Sequence, residues 1–104
     1  MSILYRYQFP ERVPMDEIET SLLLALLSTT CLHGETQTRL DVSHRLNRAK
    51  RTCGVDASNA IAGDFNRLFA GFVRREFGED GFRVQRICPG ELPRSWPRPA
   101  EKHP

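Results

Sequence analysis

The 104-residue chain has no CxxC pair, a single tryptophan (Trp96), and no apolar run longer than Leu22–Leu27. Each of these absences excludes something. Three cysteines, Cys31, Cys53 and Cys88, are an odd number without a paired motif. That argues against a secreted disulfide framework and for a reducing cytoplasm. The apolar run falls far short of the roughly 20 residues that cross a bilayer. The opening Met-Ser-Ile-Leu-Tyr-Arg lacks the basic-then-apolar order of a secretory signal. A soluble cytoplasmic protein that does not engage membranes is expected. GxGxxG, Walker, GxSxG and HExxH motifs are absent as well, so no reaction class is indicated. Cys31, His33, His44 and Cys53 are of metal-ligating types, but their spacing fits no zinc finger or ribbon. Neither metal nor cofactor is expected.

The length suits one domain with a real core, which needs no disulfide or metal to fold. The net charge of +2 is unevenly spread. Residues 1–35 carry Arg6 and Arg12 against Glu11, Asp16, Glu17, Glu19 and Glu35, a balance of −3. Residues 36–75 carry Arg39, Arg45, Arg48, Lys50, Arg51, Arg67, Arg74 and Arg75 against Asp41, Asp56 and Asp64, a balance of +5. Arginine outnumbers lysine 13 to 2, an excess that a genome rich in G and C produces without functional cause.

Periodicity supplies the elements. Residues 56–86 organise the chain. Ser58 or Asn59 can cap a helix in which Ile61, Phe65, Leu68, Phe69 and Phe72 share one face. Gly78 stops it, and Phe82 to Arg86 returns as a strand. Upstream, Ile3, Tyr5, Tyr7 and Phe9 alternate with polar residues as a half-buried strand ended by Pro10. Pro14 and the acids Asp16, Glu17 and Glu19 open a helix reaching Thr30 or His33, where Gly34 can end it. Glu35 to Leu46 alternates again, with Thr38, Leu40, Val42, His44 and Leu46 on one face. That spacing predicts a strand, with His44 as an inward core histidine. Asn47-Arg48-Ala49-Lys50 makes a hairpin tip, and Arg51 to Ala57 the returning strand.

Strand, helix, strand, strand, helix, strand is the split βαβ order of the ferredoxin-like superfold. The expected class is α+β, a four-stranded antiparallel sheet with two helices on one face. The alternative leaves the first strand detached. Residues 1–88 form the domain, and 89–104, with five prolines, an extended or disordered tail. The superfold hosts unrelated functions and assigns none.

Three surfaces could carry function. If Met15, Ile18, Leu22, Ala25, Leu26 and Thr29 of the first helix face the core, then Leu23, Leu24, Leu27 and Cys31 point away or lie at its edge. More apolar surface than a two-layer fold can cover indicates a protein partner or homo-oligomer. The plainer alternatives are a cover formed by the tail or a slightly rotated helix. Arg39, Arg45, Arg48, Lys50 and Arg51 around the hairpin form a candidate anion or nucleic-acid site. Sheet readers of RNA stack bases on outward aromatics, whereas Tyr5, Tyr7 and Phe9 are expected inward, so nucleic acid is not favoured. The junction Asp56–Asn59, between strand and helix, is a candidate enzyme site that capping already explains. The favoured function is a non-enzymatic binding or assembly module.

Overall fold

Alternating apolar side chains near the N-terminus become β1 (Leu4–Gln8), a central strand of the sheet. The computed structural model describes residues 3–87. The readings for Cys88, the proline-rich tail and Trp96 lie outside the described residues. After β1 come α1 (Met15–His33), α2 (Glu35–Asp41), β2 (Ser43–Asn47), β3 (Thr52–Asp56), α3 (Ala60–Phe77) and β4 (Arg83–Ile87). The strands form one antiparallel sheet in the order β2-β3-β1-β4. This is an α+β fold with three helices.

Two expectations are corrected. The first is the strand drawn from Glu35 to Leu46, which begins only at Ser43; Glu35–Asp41 is helical. Alternation at Thr38, Leu40 and Val42 suggested a strand, but local chemistry favours the helix. Glu, Gln, Arg and Leu are good helix formers. Glu35 pairs with Arg39 at 2.7 Å and Gln37 donates to Asp41 at 2.7 Å, both at four-residue spacing. Gly34, at φ 89°, turns the chain between α1 and α2; its amide donates to the Thr30 carbonyl at the end of α1, and its carbonyl accepts from the Thr38 amide of α2. Thr38 is thus buried from a helix, and Leu40 is exposed. The second correction follows from the first: three helices stand where two were expected.

The core lies between the sheet and the helices. Tyr7 of β1, Phe9 just beyond it, and Cys53 and Val55 of β3 meet Ile18, Leu22 and Ala25 of α1 and Phe65, Phe69 and Val73 of α3. Asn59 caps α3 by accepting from the Ala62 amide at 2.8 Å, and Gly78 at φ 86° ends it. The buried face of α3 is rotated slightly from expectation. Ala62, Phe65, Phe69 and Val73 are buried, whereas Ile61, Leu68 and Phe72 are half-buried on its flank. Contact with α1 as well as with the sheet accounts for the rotation, because α3 must present a face to each. The hairpin turn falls at residues 48–51, one residue later than the expected 47–50, so Asn47 closes β2 and Arg51 belongs to the turn.

The aromatic contacts set the prediction here. Phe69 is fully buried and meets the Tyr7 ring edge-on at 5.0 Å and the Phe9 ring at 6.4 Å. Phe69→Ala is expected to lower unfolding free energy by about 3–5 kcal/mol, read from a urea titration.

Candidate functional site

The outer face of α1 carries several exposed large apolar side chains. By helical spacing, Met15, Ile18, Leu22, Ala25 and Thr29 face inward, and all are buried. On the opposite side Leu23 is 62 % exposed, Leu24 46 % and Leu27 61 %, with Cys31 exposed beside them. No charged residue occurs between Glu19 and His33, so no charge interrupts the strip. Arg48, from the hairpin tip, pairs with Asp16 and with Glu19 (3.1 Å). His33 pairs with Asp64 of α3 at 2.8 Å. The strip is therefore held at both ends, which makes it a fixed surface.

Leu32 is also exposed, at 68 %, although its spacing continues the inward series. Length explains this. Nineteen helical residues span about 28 Å, whereas a five-residue strand spans about 17 Å, so α1 outruns the sheet. Sequence spacing alone could not find Leu32, because the extent of the layer beneath α1 is a tertiary property.

Of the five cationic candidates, Arg39, Arg48 and Arg51 have partners of their own. Arg39 is tied to Glu35 within α2, and Arg48 to the acids of α1. Arg51 donates to the carbonyl oxygens of Phe9, Pro10 and Val13, clamping the β1–α1 loop, and holds φ 56° to do so. Arg45 lies on the helix-free face of the sheet, opposite Gly54. Lys50 is exposed in the turn, its amide bonded to the Asn47 side chain. Proximity in sequence suggested a lobe; α1 and the β1–α1 loop supply partners to Arg48 and Arg51.

At the Asp56–Asn59 junction the polar groups are engaged in holding the turn. Asp56 accepts from the Ser58 amide at 2.8 Å and from its hydroxyl, and the Ser58 hydroxyl oxygen accepts from the Ile3 amide at 2.9 Å. Asn59 caps α3 and donates to the Asp41 carbonyl at 2.9 Å. These bonds tie β1, α2 and α3 to the end of β3.

His44 stacks on Phe65 with ring centroids 5.4 Å apart, and burial holds its pKa below the usual 6.5. Burial pushes the Cys53 thiol up to about 12, so it stays protonated. Burial also raises the Tyr7 phenol, against the hydrogen bond it donates to Asn66 at 2.5 Å. Asp64 is held below the usual carboxylate range, first by Arg67 and then by His33. Among the described residues, no three His, Cys, Asp or Glu side chains gather where they could hold a metal ion. No described helix is long and apolar enough to cross a membrane.

The His44 shift has a definite sign. The folded state resists protonating His44, whereas the unfolded chain takes up the proton near pH 6.5. The associated stability is present above that pH and is lost as pH falls through it. The urea midpoint is expected to drop between pH 7 and pH 5, and to drop less in His44→Gln. Equal drops in the two proteins would assign the acid sensitivity elsewhere.

Compared with known proteins, the chain matches no family, no curated protein and no solved structure.

Proposed function

We propose that the protein is a non-enzymatic assembly module that self-associates through the outer face of α1. The observation that carries this reading is an uncharged helix face with Leu23 and Leu27 each more than 60 % exposed. With Leu24, the exposed leucines of this face present on the order of 300 Å² of apolar surface, a size at which a patch on a monomer is often functional. The frame is the ferredoxin-like one with α2 inserted before the second strand. Support for that frame comes from the strand order, in which β1 and β3, the strands preceding the long helices, lie side by side at the centre. The proposed compartment is the cytoplasm, where exposed Cys31 and buried Cys53 remain thiols.

A second copy of the chain is the occupant that the strip fits. Thr20, Leu24, Leu27 and Cys31 succeed one another at steps of four, three and four, a spacing symmetric about its midpoint. Placed against itself antiparallel, the strip sets each Leu24 against the other copy's Leu27, as a two-fold interface requires. The two helix dipoles then oppose. Cys31 meets Thr20 of the second copy, not its own equivalent.

Light scattering on a sizing column is expected to give a dimer for the native chain. Leu24→Glu combined with Leu27→Glu should give a folded monomer with unchanged circular dichroism and a urea midpoint that no longer depends on protein concentration. Mild oxidation should not link the native dimer through Cys31. A native protein that stays monomeric at high micromolar concentration would overturn the proposal. So would a double variant that unfolds, since those leucines would then belong to the monomer's own core.

A further inference from the structure

The face of the sheet opposite the helices is not uniform. At one corner Leu4, Ser43 and Asp56 are buried, whereas along β1 and β4 the side chains Arg6, Gln8, Arg83 and Gln85 are exposed. The β1–β4 register sets Arg6 directly across from Gln85 and Gln8 across from Arg83. Two guanidinium groups and two amides therefore alternate on a grid. The charged pair lies on its diagonal, at a separation of about 7–8 Å between backbones. Among the described residues, no carboxylate pairs with Arg6 or Arg83.

The grid forms the floor of a cleft of about 980 Å³. One wall is the β1–α1 loop, which is held from two directions. Arg51 clamps its carbonyls, and Arg12 reaches across to Asp80, 3.0 Å from its carbonyl oxygen and 3.2 Å from its carboxylate. The other boundary is the free edge of β4. It is an outer strand of the described sheet, so every second residue offers a backbone donor and acceptor with no ladder partner among the described residues. On the helix side of the same strand Val84 stands 50 % exposed.

We infer that this cleft and the β4 edge together bind an extended acidic peptide, which adds as a fifth strand beside β4. Strand addition takes affinity from the backbone and specificity from alternate side chains. On the cleft side the incoming strand lies beside Arg83 and Gln85, with Arg6 one strand further in, so carboxylates belong there. On the other side it lies beside Val84, which favours apolar residues between the acids. The preferred segment alternates acidic and aliphatic side chains. Single-stranded nucleic acid is the less favoured ligand, because Tyr5 and Tyr7 of β1 point into the core and the grid of Arg6, Gln8, Arg83 and Gln85 carries no ring for a base to stack on. The cleft lies across the sheet from α1, so this inference stands or falls independently of self-association.

A fluorescent, acetylated Glu-Val repeat of about eight residues tests it by polarisation against the full chain. Saturable binding that weakens with salt is expected, while a Lys-Val repeat of the same length should not bind. Arg6→Gln combined with Arg83→Gln should weaken binding about tenfold or more without moving the urea midpoint. N-methylation of alternate peptide amides on the edge facing β4 should abolish binding while leaving every peptide charge in place. Failure of the Glu-Val repeat to bind, undiminished binding by the double variant or by the methylated peptide, or tighter binding of an oligothymidylate would each overturn the inference.

Discussion

Phe69 against Tyr7 and Phe9 is the contact on which the architecture depends. It joins the centre of α3 to a central strand and decides which face of the sheet is covered. Once Tyr7 and Phe9 point into the helix layer, period-two alternation sends Arg6 and Gln8 to the opposite face. The open cationic floor thus follows from where the aromatics went. The same contact aligns α3 so that α1 can pack beside it, with Ile18, Leu22 and Ala25 completing the core. Two layers are then complete, and the far side of α1 has no third layer to meet among the described residues.

Polar contacts secure the edges of this arrangement and leave the bulk of its stability to the core. Arg48 to the acids of α1 and Arg12 to Asp80 are solvent-exposed pairs of the kind that contribute little individually. Their value is positional, since the first pins the hairpin tip to the start of α1 and the second pins the loop that walls the cleft. Arg51 is the more constrained case. It is a non-glycine residue at positive φ whose guanidinium serves three carbonyls, so backbone conformation and side-chain bonding at this turn support each other. The exposed leucines of α1 and the free edge of β4 lie on different sides of the sheet. A dimer formed through α1 would hold two clefts outward, which favours bivalent partners.

Legibility varied with the range of the interaction. The helix of α1 and its inward set could be read because Met15, Ile18, Leu22, Ala25 and Thr29 recur at helical steps. Asn59, Gly34 and Gly78 marked helix ends through chemistry that operates within a turn. By contrast, Glu35–Asp41 carries a strand-like alternation and a helix-like composition at once. Two pairs at four-residue spacing, Glu35 with Arg39 and Gln37 with Asp41, accompany the helix that formed. The positions of Leu23, Leu24 and Leu27 on the outer face of α1 could be read from its period. Leu32 and the cleft could not, since both depend on how far one element extends past another.

By itself the sequence determined where the long helices, the first strand and the hairpin lie, because each is written in a period or a turn residue that acts over a few positions. Tertiary structure decided what those elements leave uncovered. It assigned Arg48 to carboxylates of α1 and Arg51 to backbone carbonyls, while Arg6 and Arg83, remote in sequence, came together on one floor. The physical reason is that a charge is neutralised by whatever folding brings within a few ångströms of it, and its neighbours along the chain do not specify that partner.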